Sequence, residues 1–330
     1  MISVLTETTD TTAELFIPVQ QGLAAVEVRL REVAASQHDA LTTATEHMLN
    51  SGGKRIRPAI SLLAAGIFAA DFDRSVALAA AVEMLHTATL VHDDLIDGAL
   101  LRRGIPTLNA EWSPHATILT GDYLFARAAS LVAQTDTMSI MDLFARTLMV
   151  IVDGEIRQKF SSRRLTSRDD YYARIYAKTA AMFMLCTRAA GVLGNADETS
   201  LNALSEFGRE VGMAFQIVDD VLDFVGTPDQ IGKPVGSDLR QGLFTLPAIY
   251  YIEANPDDPD ANALLNGRVG DRSVVSRVVA AVRESGAADE ALQEAREFVA
   301  RGQLALGELP DSEYVDTLVA VSNFIVSRNL

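Results

Sequence analysis

The chain has 330 residues, 48% of them hydrophobic, and a formal net charge of −16. That length supports a large core in one domain or two, while the acidic balance argues against nucleic acid and against general attraction to anionic lipid. A single cysteine, Cys186, excludes a disulfide framework and points to a reducing cytoplasm.

The opening segment MISVLTETTDTTAELF is acidic and Thr-rich, without a basic start or a sustained apolar run, so no signal peptide is expected. Beyond it, Ala and Leu richness and apolar residues three and four apart predict helices near 13–34, 39–50, 57–70, 74–97, 116–134, 138–161, 168–193, 198–224, 242–254, 272–285, 287–307 and 312–327. No run of alternating β-branched residues suggests a strand. The two most apolar runs, 60–70 and 75–91, read as buried core helices and not as membrane spans. The first is too short, and the second carries Glu83 and His86 and runs into aspartates. Turns are expected at 51–58, 98–107, 226–242 and 254–260, each rich in Gly, Pro or Asp. With no evident linker, the expected architecture is one all-α domain spanning 1–330.

Two helix ends carry the chemistry. HDDLID at 92–97 and VDDVLD at 218–223 each close an apolar helical stretch. Asp93 and Asp97 lie four residues apart on one face, as do Asp219 and Asp223, so each segment presents stacked carboxylates. Like charges held this way raise one another's pKa unless a cation sits between them, which implies a shared divalent-metal site. Oxygen ligands without a Cys or His cluster suit Mg²⁺ or Mn²⁺ better than Zn²⁺; His92 is a weaker candidate ligand. Below the carboxylates, small or aliphatic residues (Ala81, Leu85, Ala88 and Thr89 on one helix, Met213 and Phe215 on the other) suggest an apolar shaft under a polar mouth. Such a cavity suits an amphiphile with a diphosphate head and a hydrocarbon tail.

Basic residues supply the complement. Lys54, Arg55 and Arg57 follow Gly52 and Gly53 in a turn suited to a diphosphate. Arg102 and Arg103 follow Asp97 closely, and His86 lies two turns before Asp93 on the same face.

The segments GGKRIRP, DDLIDGALLRRG, GIPT, GDYLFARA, GEIRQ, KTAAMF, FQIVDDVLDFVG, GKPVGSDLRQG and TLP run in one order from about 50 to 250. In these the chain resembles the trans-isoprenyl diphosphate synthases, or polyprenyl synthetases, and most the long-chain members. The resemblance implies an all-α fold around a central cavity, a homodimer, and head-to-tail condensation of isopentenyl diphosphate with an allylic diphosphate assisted by Mg²⁺. It also implies roles by position. Asp93, Asp97 and Asp219 become metal ligands supported by Asp94, Asp220 and Asp223, and Arg102 and Lys178 complete the catalytic set. Lys54, Arg57, His86 and Arg103 become the isopentenyl diphosphate site, and Arg102, Lys178, Thr179, Gln216 and Lys233 the allylic site. Leu243 stands where many relatives carry Lys, so one allylic phosphate contact is absent.

Leu85, Ala88 and Thr89, one to two turns below Asp93, are the residues expected to set product length; Ala88 and Thr89 are small where relatives that stop early often carry aromatic rings. This favours a long-chain product over a farnesyl or geranylgeranyl product. A non-catalytic partner subunit of a heteromeric synthase is the third reading, opposed by the intact aspartates. A terpene cyclase would not need the GGKRIRP segment, and an HD-type phosphohydrolase needs more histidine than the five present.

Overall fold

The apolar spacing becomes helix almost throughout, as expected for an all-α chain. A computed structural model describes residues 14–34, 39–50, 53–102, 104–160, 167–226 and 235–327. The helices are α1 (Gln20–Ala34), α2 (Asp39–Asn50), α3 (Ile56–Ile67), α4 (Phe72–Ile96), α5 (Leu108–Glu111), α6 (Pro114–Ala133), α7 (Met138–Phe160), α8 (Arg168–Ile175), α9 (Ala181–Leu193) and α10 (Glu198–Val225). They continue as α11 (Ser237–Arg240), α12 (Leu246–Ala254), α13 (Pro259–Leu265), α14 (Arg272–Glu284), α15 (Ala287–Leu306) and α16 (Glu313–Ser327). A π-helical turn, Tyr176–Ala180, joins α8 to α9.

Three expected turns hold more structure than their composition indicates, and in 226–242 it is the short helix α11. The segment 98–107 contains a minimal antiparallel pair, β1 (Leu101–Arg102) with β2 (Ile105–Pro106). The Asp- and Pro-rich string at 254–260 starts α13, because Asp258 accepts the backbone N–H groups of Asp260 and Ala261 and Pro259 occupies the first turn. Proline is preorganised for that position, so the same residues that read as a breaker act as an N-terminus.

The described residues fall into two units, drawn from 1–147, 183–208 and 305–321 and from 148–182, 209–304 and 322–330. The core of the first is α4, packed by α1, α3 and α6. Asp71 caps its start by accepting the Arg74 N–H, and its middle, Val76 to Leu85, is buried on every side. A helix apolar all round needs cover on all faces. By length and composition α4 could cross a membrane, yet 78% of its most apolar window is buried within the protein. The core of the second gathers Ile217, Val221 and Phe224 of α10 with Tyr171 of α8, Leu246 and Ile249 of α12, Val275 and Val278 of α14 and Phe298 of α15.

Candidate active site

At the end of α4 the three aspartates have different environments. Asp94 is buried, Asp93 is half-buried and Asp97 is exposed. Burying a carboxylate is costly unless its oxygens are satisfied. Here Arg102, carried on β1, clamps Asp94 with Nε at 3.0 and 3.1 Å from the two oxygens and Nη2 at 2.8 Å. The short β pair thus has a purpose the sequence did not reveal: it returns Arg102 to the helix it has just left. Arg102, expected to face an allylic phosphate, spends that edge of its guanidinium on Asp94, and only Nη1 lies outside the clamp. His92 directs Nε2 toward α6, 3.2 Å from the Ile118 carbonyl and 3.6 Å from Asp122, and its ring packs against Phe125. It does not join the aspartates through that nitrogen. Gly121 of GDYLFARA makes room for it, since a Cβ there would land inside van der Waals contact of the His92 ring.

The basic turn divides. Arg55 adopts a left-handed backbone, φ 47°, and pairs with Glu27 at 2.5 Å and with the buried Glu83 at 2.6 Å. Burial lowers its pKa, but Glu83 and Glu27 outweigh that and raise it, so the charge is locked. Arg55 is therefore a structural cation, contrary to its sequence grouping with Lys54 and Arg57. Lys54 is exposed. Arg57 lies with Nη1 3.3 Å from His86 Nε2 and its guanidinium 5.0 Å from the Phe183 ring centre, so the expected pairing of Arg57 and His86 is present in the fold. Gly52 and Arg103 lie outside the described residues.

In the second unit, α10 presents Asp219 half-buried and Asp220 and Asp223 buried. Asp220 accepts from Gln216 Nε2 at 2.9 Å on one oxygen and from the Tyr171 hydroxyl at 2.8 Å on the other. Gln216 in turn accepts from the Thr179 hydroxyl at 2.6 Å, which fixes the direction of its amide. Burial, reinforced by the charge of Asp238, pushes the Asp220 pKa up to about 7 against the lowering effect of its two hydrogen bonds. Asp223 is joined to the start of α11: its carboxylate accepts the Asp238 N–H at 3.2 Å and its carbonyl accepts the Gly236 N–H at 2.8 Å.

Thr179 and Lys178 sit in the π-helical turn, a deviation from regular helix that recurs at functional sites. Lys178 Nζ is 3.9 Å from Glu155 of GEIRQ. Gly154, beside it, lets α7 approach this turn, because a Cβ would stand 2.5 Å from that of Ala177. Sequence reading missed Tyr171 and Glu155. The available signal was periodicity: Tyr171 lies two turns before Lys178. Lys233 lies outside the described residues.

Of the three residues expected to set product length, Leu85 and Ala88 are fully buried, and Thr89 is half-buried with its hydroxyl donating to the His86 carbonyl at 2.8 Å. Thr89 alone keeps an accessible face. Leu243 is half-buried and its N–H bonds the Asp238 carbonyl at 2.9 Å. Among the described residues, no three His, Cys, Asp or Glu side chains already cluster closely enough to hold a metal ion.

A helical frame with two aspartate-rich helix ends is that of the all-helical isoprenoid synthases. The family model for polyprenyl synthetases matches residues 38–282, and the chain belongs to that family and is a prenyltransferase. It is 35% identical to an all-trans-nonaprenyl-diphosphate synthase (geranyl-diphosphate specific) of Rhodobacter capsulatus, over 96% of this chain and 97% of that one. It is 37% identical to heptaprenyl diphosphate synthase component 2 of Geobacillus stearothermophilus, over 94% and 97%. The crystal structure of a polyprenyl synthase from Caulobacter crescentus, complexed with calcium and isoprenyl diphosphate, superposes with a TM-score of 0.91 at 33% identity, covering 97% of this chain and 98% of that one.

Proposed function

We propose that the chain condenses isopentenyl diphosphate with an allylic diphosphate, head to tail and repeatedly, to make a long-chain all-trans polyprenyl diphosphate. Mg²⁺ is the proposed metal, with Mn²⁺ able to replace it. The observation that carries this reading is a division of labour at both helix ends. In each, a buried carboxylate, Asp94 or Asp220, is held by a donor from another element, Arg102 or Tyr171, and a half-buried carboxylate, Asp93 or Asp219, stands next to it in the chain. An all-oxygen donor set fits a hard cation, which usually keeps water and substrate phosphate oxygens in its shell. Asp93, Asp97 and Asp219 would hold it, and when bound it neutralises charge building on the departing diphosphate.

The chain's own cations act on the same charge. Lys54, Arg57, His86 and Arg103 are assigned to the isopentenyl diphosphate, and Lys178, Thr179, Gln216, Lys233 and the Nη1 side of Arg102 to the allylic diphosphate. Preplaced cations stabilise the leaving group as its C–O bond breaks; the new C–C bond then forms and the proton lost goes to the departing diphosphate. We assign the whole chain to one functional domain, working in the cytoplasm as a homodimer. An exposed apolar stripe on α7, Met149, Val152, Ile156 and Phe160, supports the dimer, since isolated apolar side chains are ordinary but an aligned row asks for cover. The likeness to a chain named as component 2 of a heptaprenyl diphosphate synthase favours a second reading, a subunit of a heteromeric enzyme. The mass of the purified protein separates the two.

The test is incubation with isopentenyl diphosphate, farnesyl diphosphate and Mg²⁺, followed by weighing of the products. Hexaprenyl or longer chains are expected; products ending at farnesyl or geranylgeranyl would favour a short-chain enzyme. Asp93→Ala and Asp219→Ala should each cut turnover about 10²-fold or more, the scale of losing one electrostatic stabiliser. Near-normal turnover of either variant at saturating Mg²⁺ would refute the metal role proposed for that aspartate.

A further inference from the structure

The geometry points to Tyr171 as a positioning residue: by holding Asp220, it sets how α10 presents Asp219. The inference rests on the proposed metal role of Asp219. Consecutive helical residues point about 100° apart, so α10 keeps Asp219 half-buried while Asp220 turns into the core, where a carboxylate needs donors. The protein supplies one for each oxygen, Gln216 Nε2 at 2.9 Å and the Tyr171 hydroxyl at 2.8 Å. They differ in kind. Gln216 lies on the same helix one turn earlier, so its bond to Asp220 joins α10 only to itself; Tyr171 comes from α8 and ties the Asp220 carboxylate directly to another element.

The tie is stiff. Tyr171 is fully buried. Its ring packs edge-on against Tyr172 at 5.5 Å, and the Arg174 guanidinium stands 5.4 Å from its centre. Arg174 also donates to the Phe244 carbonyl at 2.8 Å, so the segment that carries Tyr171 is itself anchored. The hydroxyl has no route to water and Asp220 is its hydrogen-bond partner. A second tie runs from Thr179 through Gln216 to the other Asp220 oxygen. The first thread meets α10 at Asp220 and the second at Gln216, and both end on the Asp220 carboxylate.

Groups that orient a metal-binding carboxylate from behind typically cost about 10- to 100-fold in metal affinity or activity when removed. Tyr171→Phe removes one oxygen and keeps the ring, so a fold defect is not expected and a melting curve verifies it. Two readouts then apply. The first needs no turnover: calorimetric titration of inorganic diphosphate in the presence of Mg²⁺, where Tyr171→Phe should weaken binding about 10-fold. The second is the Mg²⁺ concentration for half-maximal condensation, which should rise by a similar factor while the KM for isopentenyl diphosphate stays within about twofold. In an Asp220→Asn background the added Tyr171→Phe change should have little further effect, because both act through one carboxylate. Unchanged Mg²⁺-dependent diphosphate binding in a folded Tyr171→Phe variant would overturn the inference, as would a loss fully additive with Asp220→Asn. A wild-type protein that binds diphosphate with Mg²⁺ but does not condense the two substrates would instead sink the proposed reaction, and the binding comparison would still decide the role of Tyr171.

Discussion

Arg55 offers a sharp contrast with its neighbour Arg57, two residues away in the same basic turn. Replacing Arg55 with Gln removes the partner of Glu83, whose side chain is only 8% exposed, and of Glu27, which is 35% exposed. The Glu27 pair, partly in water, contributes at most about 1 kcal/mol. The Glu83 pair is another matter, because breaking a buried pair leaves an uncompensated charge and costs roughly 3–5 kcal/mol. Unfolding entropy of about 2.1 cal/mol/K per residue means that each kcal/mol lowers the melting temperature of a chain this long by roughly 1.5 °C. Arg55→Gln should therefore melt about 4–9 °C below wild type. Removing the stranded charge as well, in Arg55→Gln/Glu83→Gln, should recover much of that. Arg57→Ala should do the reverse, raising the KM for isopentenyl diphosphate with a smaller change in melting. Scanning calorimetry with steady-state kinetics on the three variants reads both effects. If Arg55→Gln melts within about a degree of wild type, or raises that KM as much as Arg57→Ala does, the structural assignment of Arg55 is wrong.

Gly121→Ala would place a methyl group against the His92 ring; displacement of His92, adjacent to Asp93, should lower turnover more than it lowers secondary structure, measurable as reduced kcat with an unchanged far-ultraviolet spectrum. Cys186 is fully buried and burial pushes its thiol up to about 12, so at pH 8 the native protein should resist a disulfide reagent and the single thiol should titrate only on unfolding. Rapid labelling of the folded protein would contradict that burial. Thr89→Phe should shorten the product, because Thr89 keeps an accessible face one turn below Asp93 and a turn of about 5.4 Å approximates one isoprene unit. Ala88→Phe, at a fully buried position, should instead lower the melting temperature through overpacking. Unchanged product length in a folded Thr89→Phe variant would remove Thr89 as a determinant of length.

The all-α class was readable because apolar spacing is a local property: the helices from α2 to α4, α6, α7, α10 and α14 to α16 lie close to their expected spans, and α1 ends where expected but starts seven residues later, at Gln20. What escaped was short or misleading by composition. The β1–β2 pair has two residues a side, too few for a period, and α13 begins with the Asp-Pro pattern that elsewhere ends helices. The residues of the candidate site were legible as types and spacings for the same local reason, since Asp93 with Asp97 and Asp219 with Asp223 share helix faces by arithmetic alone.

Which of those residues is buried and tied to another element was decided by contacts between segments distant in sequence. Arg55 looked equivalent to Arg57 until Glu27 and Glu83, each 28 residues away, claimed it. Asp94 looked equivalent to Asp93 until the β pair brought Arg102 back, and Asp220 found its second donor 49 residues earlier in Tyr171. The sequence by itself determined the helices, the acidic helix ends and the family. Tertiary structure alone decided which carboxylates are buried and which donors hold them, because a buried charge must be paired and its partner can come from anywhere in the chain.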